Sequence, residues 1–157
     1  MKIVSKLEGE GIFTYDITSN KWLKQNKEAP IKLYVVSKVV CLGKCIDMIN
    51  YLVERLEPLL RSGTASLSVA LCRNFRKCSD REASEVFKKY KIIASPSLVL
   101  IIDGKLEEKL QGSLRIEEKL EELLNRIEKY AYKLNPQVKS KVGIPAKKPL
   151  KPRRFGC

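Results

Sequence analysis

The sequence predicts an α/β domain of three layers, with a mixed central sheet of four to five strands flanked by helices. Three observations carry this. Short runs of β-branched and aromatic residues alternate with longer segments whose apolar side chains recur at helical spacing. Helices between the early strands imply parallel crossovers, whereas an Asp103-Gly104 pair late in the chain imposes an antiparallel hairpin. A chain of 157 residues with 44% apolar content can bury one real core and carry an appendage, without a disulfide scaffold.

Taken in order, Gly11 to Tyr15 is a short strand. Asp16-Ile-Thr-Ser-Asn20 is rich in helix-capping side chains and precedes a short amphipathic piece with Trp22 and Leu23, read as helical. Ile31 to Val36 is a continuous β-branched and aromatic run, the mark of a strand buried on both faces. From Cys45 onward, Met48, Ile49, Leu52, Val53, Leu56 and Leu60 recur at helical spacing, and Pro58 with Gly63 closes that segment. Leu67 to Cys72 is a second buried strand. Ser79-Asp80 caps a helix carrying Ala83, Val86, Phe87 and Tyr90. Leu98 to Ile102 and Lys105 to Leu110 pair across the Asp-Gly turn. After Gly112 and Ser113, the stripe Ile116, Leu120, Leu123, Leu124, Ile127 and Leu134 marks a long amphipathic helix. Glu117, Lys119, Glu121, Glu122 and Arg126 fall on its solvated face. The predicted order is β-α-β-α-β-α-β-β-α, with no internal repeat.

The formal charge of +13 is uneven: eight Lys or Arg and no acid lie between Lys133 and Cys157. The chain therefore divides into a domain, residues 1–134, and a basic, Pro-rich tail, residues 135–157, expected to be extended when free. Lys147, Lys148, Lys151, Arg153 and Arg154 make that tail a candidate for holding phosphate backbones of RNA, of a ribonucleoprotein such as the ribosome, or of DNA. A second basic cluster, Arg73, Arg76, Lys77 and Arg81, surrounds Phe75, which is expected to be exposed for stacking on a base. No signal peptide or membrane span is apparent, so the expected location is cytoplasmic. The richness in Lys, Glu, Leu and Ile is compatible with a thermophilic source.

Chemistry is narrowed by what is missing. The chain has no His, which removes Ser-His-Asp and Cys-His nucleophile systems and histidine metal sites. Gly43-Lys44 and Gly104-Lys105 lack the other parts of a phosphate-binding loop, and Glu107-Glu108 falls on a predicted surface turn without an apolar pocket. What remains is thiol chemistry. Cys41 and Cys45 follow an apolar run where a strand hands over to a helix, and Ser95-Pro96-Ser97 opens a later strand. A thiol at a helix N-terminus is driven toward thiolate by the dipole and by backbone N–H groups, and Lys38 and Lys44 act the same way. Residues i and i+4 of a helix lie within disulfide reach. Cys72 ends a strand and Cys78 precedes a helix on the same sheet edge, so either a Cys72–Cys78 disulfide or a four-thiol zinc or iron–sulfur site with Cys41 and Cys45 is conceivable. Cys157 is a terminal thiol outside any prenylation context.

The chain resembles the thioredoxin family over about residues 10 to 130. The resemblance is carried by Cys41-Leu-Gly-Lys-Cys45, by Tyr90-Lys-Ile-Ile-Ala-Ser-Pro96-Ser-Leu-Val-Leu-Ile-Ile-Asp-Gly104-Lys, and by Gly112 ahead of the last helix. It implies a thioredoxin-like fold, a cis Ser95-Pro96 bond, Cys41 as exposed nucleophile, Cys45 as resolving thiol, and Ser95 and Pro96 as the backbone surface that receives protein disulfide substrates. No resident cofactor is implied. Three residues separate the cysteines where the family has two, so either the loop is longer or Cys45 alone keeps its place and Leu42 stands where the first cysteine would be. No Asp or Glu occurs between Glu28 and Asp47, where the family carries a buried acid, and Val39-Val40 replaces the usual tryptophan. Two functions from different classes emerge. One is a thiol-disulfide oxidoreductase working through Cys41 and Cys45; the other is a redox-silent adaptor docking on nucleic acid through its tail and the Arg73 to Arg81 loop.

Overall fold

The computed structural model describes residues 7–136; the tail cations singled out from the sequence lie outside the described residues. In chain order the elements are strands Gly11–Asp16 (β1), Lys21–Leu23 (β2) and Ile31–Lys38 (β3), helix Leu42–Ser62 (α1), strand Ala65–Cys72 (β4), helix Arg81–Lys89 (α2), strands Ser97–Ile102 (β5) and Lys105–Gln111 (β6), and helix Ser113–Leu134 (α3). The strands form one mixed sheet of order β2-β1-β4-β3-β5-β6. β3 runs parallel to β4, in register from Ile31↔Ala65 to Lys38↔Cys72, and antiparallel to β5. Asp103 and Gly104 both take positive φ, 49° and 81°, as the two-residue hairpin between β5 and β6 requires.

The N-terminal region differs from the sequence expectation. Ile17 to Asn20 is a turn, and Lys21–Leu23 is a strand paired back on β1, with Tyr15 opposite Trp22. The capping-type side chains are satisfied inside that turn: Asp16 Oδ2 accepts from Ser19 N at 3.3 Å. With a tight turn in place of a crossover helix, β1 lies antiparallel to β4, and the sheet has six strands rather than four to five. The second correction concerns α1. It starts three residues before Cys45, and Pro58 lies inside its final turns, so the helix ends where Gly63 adopts φ 77°.

α1 and α3 cover one face of the sheet and α2 the other. The first core joins Met48, Ile49, Leu52 and Leu56 of α1 and Ile116, Leu120, Leu124 and Ile127 of α3 to Leu33, Val35, Leu67, Val69, Leu98 and Leu100. The second joins Ala83, Val86 and Phe87 of α2 to Tyr34, Val36, Ala70, Cys72 and Val99. β3 and β4 are buried on both sides, as their uninterrupted apolar runs require. The charges of α3 are less solvated than their spacing suggests. Glu121 accepts hydrogen bonds from Tyr51 and Arg55 of α1, and Arg55 lies 3.5 Å from the buried Glu128. Arg126 bridges to Glu107 and Glu108, which belong to β6 rather than to a surface turn.

Candidate functional site

The C-terminal ends of β3 and β4 bring the sequence-predicted thiol residues to one edge of the sheet. β3 ends at Lys38, a single 3-10 turn Val39–Cys41 follows, and Cys41 is the residue that precedes the first turn of α1. Ser95-Pro96, which leads into β5, is a cis peptide bond. Ser95 Oγ accepts from Lys38 N at 3.0 Å and lies 3.3 Å from Ser37 Oγ, so this loop is tied to the end of β3. Pro96 O accepts from Gly112 N at 2.9 Å, which ties it to the start of α3 as well.

Cys41 and Cys45 are close but are not joined to each other. The Cys45 thiol donates to the Cys41 carbonyl at 3.5 Å, the ordinary i to i−4 direction within a helix, and lies 4.0 Å from Ser37 Oγ. Both cysteines have 0% exposure and Cys41 is itself disulfide-bonded, so it is not the exposed thiol that the resemblance implied. Burial pushes the Cys45 thiol up to about 11, only partly opposed by the contact with Ser37. No carboxylate is on β3 to manage its proton, and Val36, fully buried, packs toward α2.

The disulfide among the described residues joins Cys72 to Cys78, with Cα atoms 5.1 Å apart. Cys72 is the last residue of β4, opposite Lys38, and is fully buried under α2; Cys78 is half-buried. Cys45 belongs to the α1 face and Cys72 to the α2 face, and among the described residues neither Cys41 nor Cys45 clusters with Cys72 and Cys78 at metal-ligating distance. Alternation along the strands explains this: Ser37 points toward Cys45, whereas its neighbour Lys38 points to the opposite face, where its ammonium lies 5.3 Å from the Phe75 ring.

The disulfide loop is held from inside and from outside. Asn74 Oδ1 accepts from Arg76 N at 3.0 Å and from Lys77 N at 2.7 Å, a side-chain-closed turn. Glu10, just before β1, reaches both ends of the loop. Its Oε2 accepts from Arg73 N at 2.7 Å, and its Oε1 accepts from Ser79 N at 3.1 Å and from the Ser79 hydroxyl. The Ser79 hydroxyl and those two amides hold the Glu10 carboxyl below its usual range. Sequence reasoning missed Glu10. The available signal was its placement between Gly9 and Gly11, both at positive φ; a Cβ on Gly11 would come within 2.8 Å of Lys24 Cε. Phe75 also differs from expectation: it is half-buried, 6.2 Å from the Phe87 ring and beneath Lys38, so its faces are engaged. Arg73, Arg76, Lys77 and Arg81 lie around it at the surface of the loop and the start of α2.

No protein-family model and no curated protein sequence matches the chain. Solved structures similar to it include Deadhead, the germline-specific thioredoxin of Drosophila melanogaster, at 15% identity, TM-score 0.46, covering 63% of this chain and 82% of that one. The thioredoxin of Fasciola hepatica is 20% identical, TM-score 0.43, with coverage of 63% and 82%. That of Aeropyrum pernix is 16% identical, TM-score 0.43, with coverage of 75% and 98%. What decides the architecture is the chain's own strand order: β4-β3-β5-β6, with a parallel β3-α1-β4 unit, an antiparallel β5-β6 hairpin and helices on both faces. The fold is thioredoxin-like. The β1-β2 hairpin is added at its β4 edge. No helix among the described residues is long and apolar enough to cross a membrane.

Proposed function

We propose that this protein exchanges disulfides with cysteines of other proteins, and that the reactive pair is Cys72–Cys78 rather than Cys41 and Cys45. The observation that carries the reading is the contrast in accessibility at one sheet edge: Cys78 is half-buried in its disulfide with Cys72, while Cys45 is a fully buried free thiol and Cys41, also disulfide-bonded, is fully buried. A substrate thiolate attacks Cys78 Sγ, the Cys72–Cys78 bond breaks, and Cys72 leaves as thiolate. A second substrate thiolate then attacks the substrate sulfur of the mixed disulfide and releases Cys78. The substrate pair is oxidised to a disulfide and the protein pair is reduced by the same two electrons; the reverse sequence reduces a substrate disulfide. Lys38, Arg73, Arg76 and Lys77 surround the loop with positive charge, which favours a departing thiolate.

The test is dithiothreitol-driven reduction of a protein disulfide by wild type, Cys78→Ser and Cys45→Ser. Activity should vanish in Cys78→Ser and persist in Cys45→Ser. The opposite pattern would return the chemistry to the Cys41/Cys45 pair.

A second reading, contact with RNA, a ribosome or DNA, is favoured by the cluster of Arg73, Arg76, Lys77 and Arg81 in a chain whose tail carries like charge. Removal of residues 135–157 should abolish retention on an immobilised polyanion at moderate salt; unchanged retention would end this reading.

A further inference from the structure

We infer that, once the Cys72–Cys78 disulfide is reduced, Cys72, Cys78 and Glu10 form a binding site for a borderline-soft divalent cation of the zinc type. The potential ligand atoms of these three residues lie within 4.8 Å of one another. They come from two places distant in sequence, the segment before β1 and the end of β4 with its loop, and meet only because β1 lies beside β4.

The donor set defines the ion. Two thiolates and one carboxylate oxygen suit zinc far better than calcium or magnesium, which demand oxygen shells. Tetrahedral zinc with bonds of about 2.3 Å to sulfur places two ligand sulfurs about 3.8 Å apart. Cα atoms 5.1 Å apart allow that separation by side-chain rotation alone. Glu10 is prepared in the same way that ligating carboxylates are commonly prepared, by outer hydrogen bonds that fix its plane. Among the described residues Oε2 accepts only from Arg73 N, so one of its lone-pair directions remains for an ion.

The loop does not depend on the disulfide for its shape. Asn74 closes it internally, Glu10 grips the residue after each cysteine, and Cys72 is fixed in the β4 ladder. Reduction by a dithiol or a phosphine supplies two electrons, and two protons taken up with them leave two thiols in place. Ion binding then releases the two thiol protons as metal–sulfur bonds form, and reoxidation by an added small-molecule disulfide, which takes the two electrons and is cleaved to two thiols, expels the ion. Two thiolates and Glu10 carry three negative charges; a divalent ion leaves one, which Arg73, Arg76 and Lys77 offset at the surface.

This site requires only a reducible disulfide, so its failure leaves the exchange reading standing, and loss of exchange activity leaves the site untouched. The experiment is anaerobic titration of phosphine-reduced full-length protein with cobalt(II), read by thiolate charge-transfer absorption, followed by displacement with zinc. Reduced wild type and Cys45→Ser should each bind one equivalent, while oxidised wild type, Cys72→Ser and Cys78→Ser should bind none. Glu10→Gln, which removes the charge but keeps an acceptor, should weaken binding by roughly tenfold or more. Absence of the band in reduced wild type, its survival in Cys78→Ser, or unchanged affinity in Glu10→Gln would each overturn the site. Cys78 is in a half-buried loop, so its variant stays folded where Cys72→Ser, at the core, does not have to.

Discussion

At Cys45 the thiol stands under the first turn of α1, with a backbone carbonyl at 3.5 Å and a serine hydroxyl at 4.0 Å among its polar neighbours. Burial favours its neutral form, which makes it a core residue more than a nucleophile. Alkylation of Cys45 in the native protein at neutral pH should therefore be much slower than in urea, read by mass spectrometry. Its folded pKa is raised from 9.0 to about 11, so its share of stability is complete below the unfolded value and is lost as pH rises through the folded one. Urea unfolding at stepped pH should show this share as a fall of roughly 2 to 3 kcal/mol across that window, removed in Cys45→Ala. Equal pH slopes in the two proteins would contradict it. That Cys45 lies at the helix start was legible from the apolar spacing behind it. That its thiol is silent was not, because burial is a property of what packs over a residue.

α2 shows how far a local signal reaches at the scale of an element. Asp80 accepts from Ala83 N at 2.9 Å, Glu82 lies in the first turn and Lys88 and Lys89 in the last, all readable from the sequence. The helix has only nine residues, too short to persist without its cap and its packed face. Asp80→Ala should cost about 1 kcal/mol in chemical denaturation, and Asp80→Asn much less. Hydrogen exchange should place the loss in α2 and the adjoining disulfide loop. Asp16 to Leu23 carried similar capping residues and formed a hairpin instead. The reason is reach: three residues of strand with Trp22 buried against Tyr15 outweigh the weak propensity of a short helix. Caps mark where a chain turns, and packing decides whether a helix or a strand comes next.

At the scale of the whole molecule, one sheet separates two cores with different roles. The α1–α3 core is closed at its rim by charge: Arg55 meets Glu121 and, at 3.5 Å, Glu128, whose side chain is 4% exposed. Arg55→Met should destabilise the protein by roughly 3 kcal/mol, because it removes the cation that lies 3.5 Å from a buried carboxylate and bridges it to Glu121. A change under about 1 kcal/mol in thermal or urea unfolding would show that the pair is not needed. The α2 core ends in the disulfide loop, whose closure spans only six positions of sequence. Cys78→Ser should lower stability by about 2 kcal/mol while leaving circular dichroism native, since a short loop contributes little chain entropy and Glu10 and Asn74 still hold it. Loss of native circular dichroism in this variant would show that the disulfide alone holds this edge.

The amino-acid sequence by itself determined the buried strands β3, β4 and β5, the Asp-Gly hairpin, the capped α2 and the apolar stripes of α1 and α3, because each arises from periodicity and turn chemistry within a few residues. Only the tertiary structure decided which cysteines meet. Cys45 is carried by α1, which covers one face, whereas alternation along β4 turns Cys72 to the other, although both come to the same sheet edge. Pairing of β1 with β4 brought Glu10 to a loop 63 to 69 positions away. Contacts between distant segments depend on strand order and register, which no local pattern contains.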